Sequence, residues 1–286
     1  MTLRELLEYG SKELHGVSDT PQLDSQILLC DVTNYDKVYM ILNPSEEIDE
    51  NLLMKFKDYI ARRKESEPVQ YIINSQEFMG FDFYVDSNVL IPRADTEILV
   101  EEILKSAKKG SRILDIGTGS GAITISLAKL VEESLVDSVD ISDSAIQVAK
   151  RNSINLGVAE RTKFINIDIF DEDVLSRLDV YDIVVSNPPY IPKAEMDELK
   201  SNVIDYEPYN ALYGGVDGLD FYWRIVDLTA EILKKDGIMA FECGYNQGED
   251  IKKIMEDSGF FDKIDIVKDL SGLDRVVIGY RPTTVE

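Results

Sequence analysis

Histidine is nearly missing from this chain: there is one, His15, in 286 residues. A Ser-His-Asp triad would need it to meet a distant serine, and no GxSxG stretch occurs to hold a nucleophile on a sharp turn. Cysteine is almost as scarce. Cys30 and Cys243 stand far apart without metal-like spacing, which argues against a disulfide framework and against a zinc site. Basic residues are few as well: 30 Lys and Arg against 54 Asp and Glu leave a net charge of −24. Nucleic-acid binding draws on clustered Lys and Arg to displace counterions, so neither DNA nor RNA is the default partner. The acidity reads as a solubilising surface. The opening MTLRELLEYGSKELHG carries no long apolar run and is neither a signal peptide nor a membrane span. A soluble, reduced, cytoplasmic protein is expected, with no membrane partner.

Hydrophobic residues make up 44% of the chain and charged residues 29%, enough for a sizeable core. The length is comfortable for two domains. Residues 1–74 read as a helical domain. Leu3, Leu6 and Leu7 share a helical face. Thr20-Pro21 opens a second helix, with Leu23, Ile27 and Leu28 continuing the stripe. A third helix spans Asp36 to Leu42, and a fourth runs from about Asp49 to Lys64 with Leu52, Leu53, Phe56, Tyr59 and Ile60 inward. Residues 75–93 alternate aromatics around Gly80 and read as a β-hairpin linker. Residues 94–286 alternate helix and strand: helix over 95–107, strand 112–116, helix 122–131, strand 136–141, helix 143–155, strands 163–169 and 181–186, helix 220–234, strand 237–242, helix 247–257, and two closing strands. That order builds an α/β domain, a parallel sheet covered on both faces, with the last pair as an antiparallel edge.

ILDIGTGSGAIT (113–124) sets Gly117, Gly119 and Gly121 between a strand and a helix. Glycines there let the backbone turn tightly and approach a ligand closely. The next strand ends VDIS, so Asp140 stands at its carboxyl end, facing the ligand crevice of an open α/β sheet. A carboxylate there can accept both ribose hydroxyls of an adenosine. NAD, FAD and S-adenosylmethionine all carry that ribose, and the pair of features does not choose among them. Asp115 suits an indirect polar contact at the other end of the ligand. Asp168 closes the third strand, where an adenine would lie and offer its exocyclic amine. Ile169 or Phe170 would cover the ring face.

The fourth strand runs into Asn187-Pro188-Pro189-Tyr190, which abuts the reactive end of the cofactor by the same crevice rule. An amide-like nitrogen is a poor nucleophile because its lone pair is delocalised. It also has two N–H donors that must be satisfied in a closed site. The Asn187 side-chain oxygen can accept one. The Pro188 carbonyl can accept the other, aimed by the proline ring. Together they hold the lone pair toward an electrophile, and Tyr190 offers an aromatic face to the planar group. No charged base is needed for the attack, which suits a chain with one histidine.

The combination resembles the seven-strand S-adenosylmethionine-dependent methyltransferases with a Rossmann-like fold, and within them the PrmC/HemK family. PVQYII (68–73), EFMGFDFYV, VLIPRADTEILVE (89–101), ILDIGTGSGAI, VDIS and VSNPPYIP carry the likeness. So do EPYNALYGGVDGLDFY (207–222), FECGYNQGEDI (241–251) and DLSGLDRVVIGY (269–280). The resemblance implies methylation of N5 of the glutamine in the Gly-Gly-Gln motif of peptide chain release factors. It implies S-adenosylmethionine held by Gly117, Thr118, Gly119, Ser120, Gly121 and Asp140, with Asp168, Ile169 and Asn187 beside it. Glutamine would sit on Asn187, Pro188, Pro189 and Tyr190, with Asn187, Pro188 and Tyr190 catalytic. The helical domain would help hold the release factor. No metal and no direct nucleic-acid contact are expected, and the enzyme is expected to be a monomer. The nearest rival readings are glutamine methylation of a ribosomal protein and adenine-N6 methylation of DNA. A basic groove for base flipping is hard to reconcile with the charge, and a non-catalytic binding module with an intact Asn187 and glycine loop.

Overall fold

Thr2 starts the first helix. Its hydroxyl accepts from the Glu5 N–H at 3.3 Å and its own N–H donates to Glu5 Oε2 at 2.9 Å, a reciprocal cap that satisfies two otherwise orphaned donors. A computed structural model describes residues 1–199 and 201–282. Two compact units result: Met1–Ser75 with Lys200–Tyr206, and Gln76–Leu199 with Glu207–Glu286.

In the first unit, α1 (Leu3–Glu13), α2 (Pro21–Thr33), α3 (Lys37–Leu42), α4 (Glu50–Lys64) and α5 (Val69–Ile73) enclose Leu3, Leu6, Leu28, Leu29, Phe56 and Ile60. Leu23, expected in the apolar stripe of α2, is half exposed. The inward rows are instead Asp24, Leu28, Val32 and Ser25, Leu29, because the buried Asp24 ion-pairs with Arg63 of α4 at 2.7 Å. That polar anchor turns the helix and leaves Leu23 on the solvent side. Among the described residues no helix is long and apolar enough to cross a membrane.

The second unit opens with a hairpin, β1 (Gln76–Phe78) and β2 (Phe81–Phe83), paired antiparallel. Its two-residue turn puts Met79 and Gly80 at φ 52° and 76°, the primed geometry that matches strand twist. After α6 (Ala94–Ser106) come β3 (Arg112–Ile116), α7 (Ala122–Leu130), β4 (Leu135–Asp140), α8 (Asp143–Asn155), β5 (Thr162–Asn166) and β6 (Tyr181–Ser186). Two short helices, α9 (Lys193–Met196) and α10 (Ser201–Ile204, which belongs to the first unit), precede α11 (Asp220–Ile232), β7 (Leu233–Glu242), α12 (Gly248–Ser258), β8 (Lys263–Lys268) and β9 (Asp274–Tyr280).

Among the described residues the large sheet has seven strands in the order β5-β4-β3-β6-β7-β9-β8. Strands β3 to β7 run parallel, and β9 is antiparallel to both β7 and β8. Both faces are buried. Leu114, Val184, Met239 and Val277 point into one core, and Ile113, Ile183, Val185, Ala240 and Ile278 into the other. That alternation explains why the strands read as continuous apolar runs. Two boundaries differ from the sequence expectation. β5 stops at Asn166, whose amide donates to the carbonyls of Asp140 and Ile141 at 3.1 and 2.9 Å, so Asp168 lies beyond the strand. β7 begins at Leu233, where a helix was expected to continue. Asp236 adopts φ 60° there and the pairing with β6 shifts register between Tyr181 and Ile183.

Candidate active site

The strand order reverses between β3 and β6, and ligands of open α/β sheets sit outside the carboxyl ends at such a point. The carboxyl ends of β3, β4 and β6 border one cavity of about 660 Å3. Gly117, Thr118, Gly119 and Ser120 line it, together with Asp140, Asp168, Ile169, Asn187, Pro188 and Pro189. The lining does not include Gly121 or Tyr190.

The glycine loop is clamped from below. The N–H groups of Gly117 and Thr118 donate to the Val139 carbonyl at 2.9 and 3.1 Å, and the hydroxyls of Thr118 and Ser138 lie 2.7 Å apart. Buried Asn152 of α8 donates to the carbonyls of Ser120 and Tyr84, both at 2.9 Å, and accepts from the Tyr84 N–H at 2.8 Å. Gly121 serves packing. At φ 83° it caps α7, and a Cβ there would meet Ile125 Cδ1 at 2.9 Å and Ala149 Cβ at 3.1 Å. Gly121→Ala is therefore expected to destabilise the fold by about 1–3 kcal/mol through overpacking and a left-handed backbone, read as a lower urea midpoint.

Asp140 is held at both oxygens. Oδ2 accepts from the Gly119 N–H and Oδ1 from the Ser142 N–H, each at 2.9 Å. Burial pushes its carboxyl above the usual range, and these N–H donors pull it back. Each oxygen keeps a further lone pair for a ligand hydroxyl. Asp115 is fully buried, accepts from the Thr124 hydroxyl at 2.6 Å and is pushed up to about 7 by burial. It is outside the lining, so any influence on a ligand passes through the first turn of α7. Asp168 accepts from the Phe170 N–H at 2.9 Å. Ile169 is buried in the core beneath the cavity. Phe170 is half exposed, with its ring edge-on to Phe221 at 5.4 Å.

The loop after β6 is tied on several sides. Ser186 Oγ donates to the Ile116 carbonyl at 2.6 Å, and the Asn187 amide donates to Thr96 Oγ1 of α6 at 3.3 Å. The Ile191 N–H donates to the Leu212 carbonyl at 2.9 Å and the Gly214 N–H to the Ile191 carbonyl at 3.0 Å. Gln247, at the start of α12, donates to the Tyr190 carbonyl at 3.1 Å. The Tyr190 ring packs against the core containing Tyr222 and Phe241, and burial pushes its phenol well above the ordinary value. Half-buried there, the ring anchors the loop from beneath. The aromatic lining comes from Phe170, Phe221, Tyr209 and Tyr213, the two tyrosines stacked with centroids 5.5 Å apart. Among the described residues no group of three His, Cys, Asp or Glu is arranged to hold a metal ion.

Residues 5–73 match a family model described as the PrmC N-terminal domain, and residues 107–265 one described as a methyltransferase domain. A release factor glutamine methyltransferase of Clostridium acetobutylicum is 44% identical over 260 residues, covering 90% of each chain. One of Koribacter versatilis is 36% identical over 99% of this chain and 100% of its own. This chain belongs to the release factor glutamine methyltransferase family. The catalytic domain of hMettl16, solved with a MAT2A 3′UTR hairpin, superposes with a TM-score of 0.56 at 15% identity over 83% of this chain and 85% of that one. That likeness concerns the fold alone.

Several residues that hold this site escaped the sequence reading. Asn152, Gln247 and Thr96 hold the two loops, yet none stands in the glycine or Asn-Pro-Pro-Tyr stretches. Glu207, nearly inaccessible, ion-pairs with Arg93 and accepts from the Ile91 N–H at 3.3 Å. It thereby ties the Tyr209 segment to the stretch before α6. Their signal was compositional only: a polar side chain inside an otherwise apolar or glycine-rich signature, such as Glu207 in EPYNALYGG.

Proposed function

We propose that this enzyme transfers a methyl group from S-adenosylmethionine to the side-chain amide nitrogen, N5, of the glutamine in the Gly-Gly-Gln motif of a peptide chain release factor. The observation that carries the reading is the shared cavity. Asn187 and Pro188 stand on the same wall system as the glycine loop and Asp140, so an amide acceptor set and a ribose acceptor set face one space.

The residues fit the cofactor. The cavity has the volume usual for small-molecule sites, and a side chain at Gly119 would project into open space rather than protein. Asp140 would accept the ribose hydroxyls, and Phe170 with Ile169 and Asp168 would border the adenine. When bound, S-adenosylmethionine supplies a methyl group on a positively charged sulfur. The chain's own residues prepare the nucleophile. Asn187 Oδ1 accepts one N–H of the glutamine amide and the Pro188 carbonyl the other, so its nitrogen lone pair is turned toward the methyl group. Well-oriented reactants of this kind gain roughly 7–11 kcal/mol, far more than the 0.5–1.5 kcal/mol of an ordinary hydrogen bond. The nitrogen loses a proton after it has gained the methyl group, so no ionised base has to stand beside it. Tyr190 fixes the loop and would offer an aromatic face to the amide plane, and Phe170, Phe221, Tyr209 and Tyr213 give the cavity its aromatic wall.

The helical unit would engage the release factor outside the glutamine itself. The proposal includes a monomer in the cytoplasm and no nucleic-acid partner, in keeping with 54 acidic against 30 basic residues. Labelled S-adenosylmethionine offered with a release factor and, separately, with duplex DNA separates the readings. Label is expected on the factor. Label on DNA alone would overturn the proposal.

A further inference from the structure

The Asn187 side chain must present its oxygen, not its nitrogen, to a substrate amide. An asparagine amide is nearly symmetric in shape, so only its partners decide which end faces the cavity. One partner is Thr96 Oγ1, which receives the Asn187 Nδ2 hydrogen at 3.3 Å. A second lies on the neighbouring strand. The parallel register of β6 and β7 pairs Ser186 with Phe241, which brings Glu242 alongside Asn187. Glu242 is 2% exposed, Thr96 4%. The Glu242 carboxyl feels the hydrogen-bonding groups of both Thr96 and Asn187, and its buried Oε2 has no hydrogen-bond partner among the described residues. Burial pushes this carboxyl up to about 7; in its ionised form it is an acceptor only, and leaving that form unsatisfied is costly.

We infer that Glu242, with Thr96 between them, positions the Asn187 amide with Nδ2 held inward and Oδ1 turned to the cavity. Glu242 accepts from the Thr96 hydroxyl, and Thr96 Oγ1 accepts from Asn187. Donors thus run in one direction toward the carboxyl, which also faces Arg275, whose buried Nε has no partner among the described residues. Arg275 of β9 and Asp95 of α6 are the charged groups nearest the pair, and Arg275 is itself paired with Asp95 and Asp269, both at 3.2 Å. Glu242 and Thr96 are positioning residues: they touch Asn187, not the reacting atoms. The inference deepens the function proposed above and rests on it for the kinetic test.

The test compares Glu242→Gln, Thr96→Val and Thr96→Ser with the unaltered enzyme. A glutamine can donate as well as accept, and valine removes the hydroxyl at constant shape. Both are expected to lower kcat on a release factor by about 10²-fold, as for reactants displaced by roughly 1 Å. KM for the factor and Kd for S-adenosylmethionine should stay within about threefold of the unaltered enzyme. Thr96→Ser keeps the hydroxyl and should turn over at least about ten times faster than Thr96→Val. Unchanged kcat in both deletion variants, or a parallel loss of cofactor affinity, would overturn the inference. If the unaltered enzyme left the release factor unmethylated, the proposed function would fail instead. A second readout then still decides. With heavy-nitrogen-labelled asparagine, the side-chain N–H pair of Asn187, assigned by its loss in Asn187→Ala, should exchange slowly with solvent and speed up in Thr96→Val. Equal exchange in the two proteins would contradict the inference.

Discussion

Asn187→Ala lowers kcat for methyl transfer by at least about 10²–10³-fold, the loss typical of removing one preorganised partner of a reacting group. The cofactor dissociation constant should move by less than about threefold, because the alanine removes no contact to ribose or adenine. The split matters more than the size. Asn187 is anchored on its inner side at Thr96, and in the proposed arrangement its oxygen acts on the nucleophile and not on the electrophile. Calorimetric titration with S-adenosylmethionine beside a release-factor assay reads both quantities. A collapse of cofactor affinity would move Asn187 to the cofactor and leave the amide without its acceptor.

Asp140→Ala gives the opposite pattern. Two hydrogen bonds to a charged acceptor are worth about 1.5–3 kcal/mol each, and tenfold in affinity is about 1.4 kcal/mol. Cofactor affinity is therefore expected to fall by at least about 100-fold, while kcat at saturating cofactor falls by less than about tenfold. Part of the loss is indirect, since Asp140 also receives the N–H groups of Gly119 and Ser142. Asp140→Asn, which keeps one acceptor oxygen, should fall between. Unchanged affinity in Asp140→Ala would refute the ribose assignment.

Which features could be read in advance follows from how local they are. The glycine loop, Asp140 and Asn187 each sit where a strand ends, and strand ends are visible as the point where a buried apolar run meets turn residues. The seven-strand α/β architecture followed from the same alternation, because β3, β4 and β6 are buried on both faces over most of their length. Leu23 was misjudged because the orientation of α2 is decided by Asp24 meeting Arg63 across the bundle. The start of β7 was hidden for a similar reason. Leu233 and Lys234 fit a helical stripe locally, but the chain crosses directly into pairing with Tyr181. The packing of Tyr190 against the core of Tyr222 and Phe241, which anchors the loop, could not be read from its place in the motif. The Glu242–Thr96–Asn187 arrangement joins three distant segments through strand register, which no periodicity encodes.

The central claim is that the amide of one glutamine is the methyl acceptor. Peptide mapping by mass spectrometry tests it, on a release factor incubated with this enzyme and S-adenosylmethionine. One added methyl is expected on the glutamine side chain of Gly-Gly-Gln. None is expected on a factor carrying alanine there, and none when Asn187→Ala replaces the enzyme. A methyl group on another residue, or persisting after that glutamine is replaced, would contradict it.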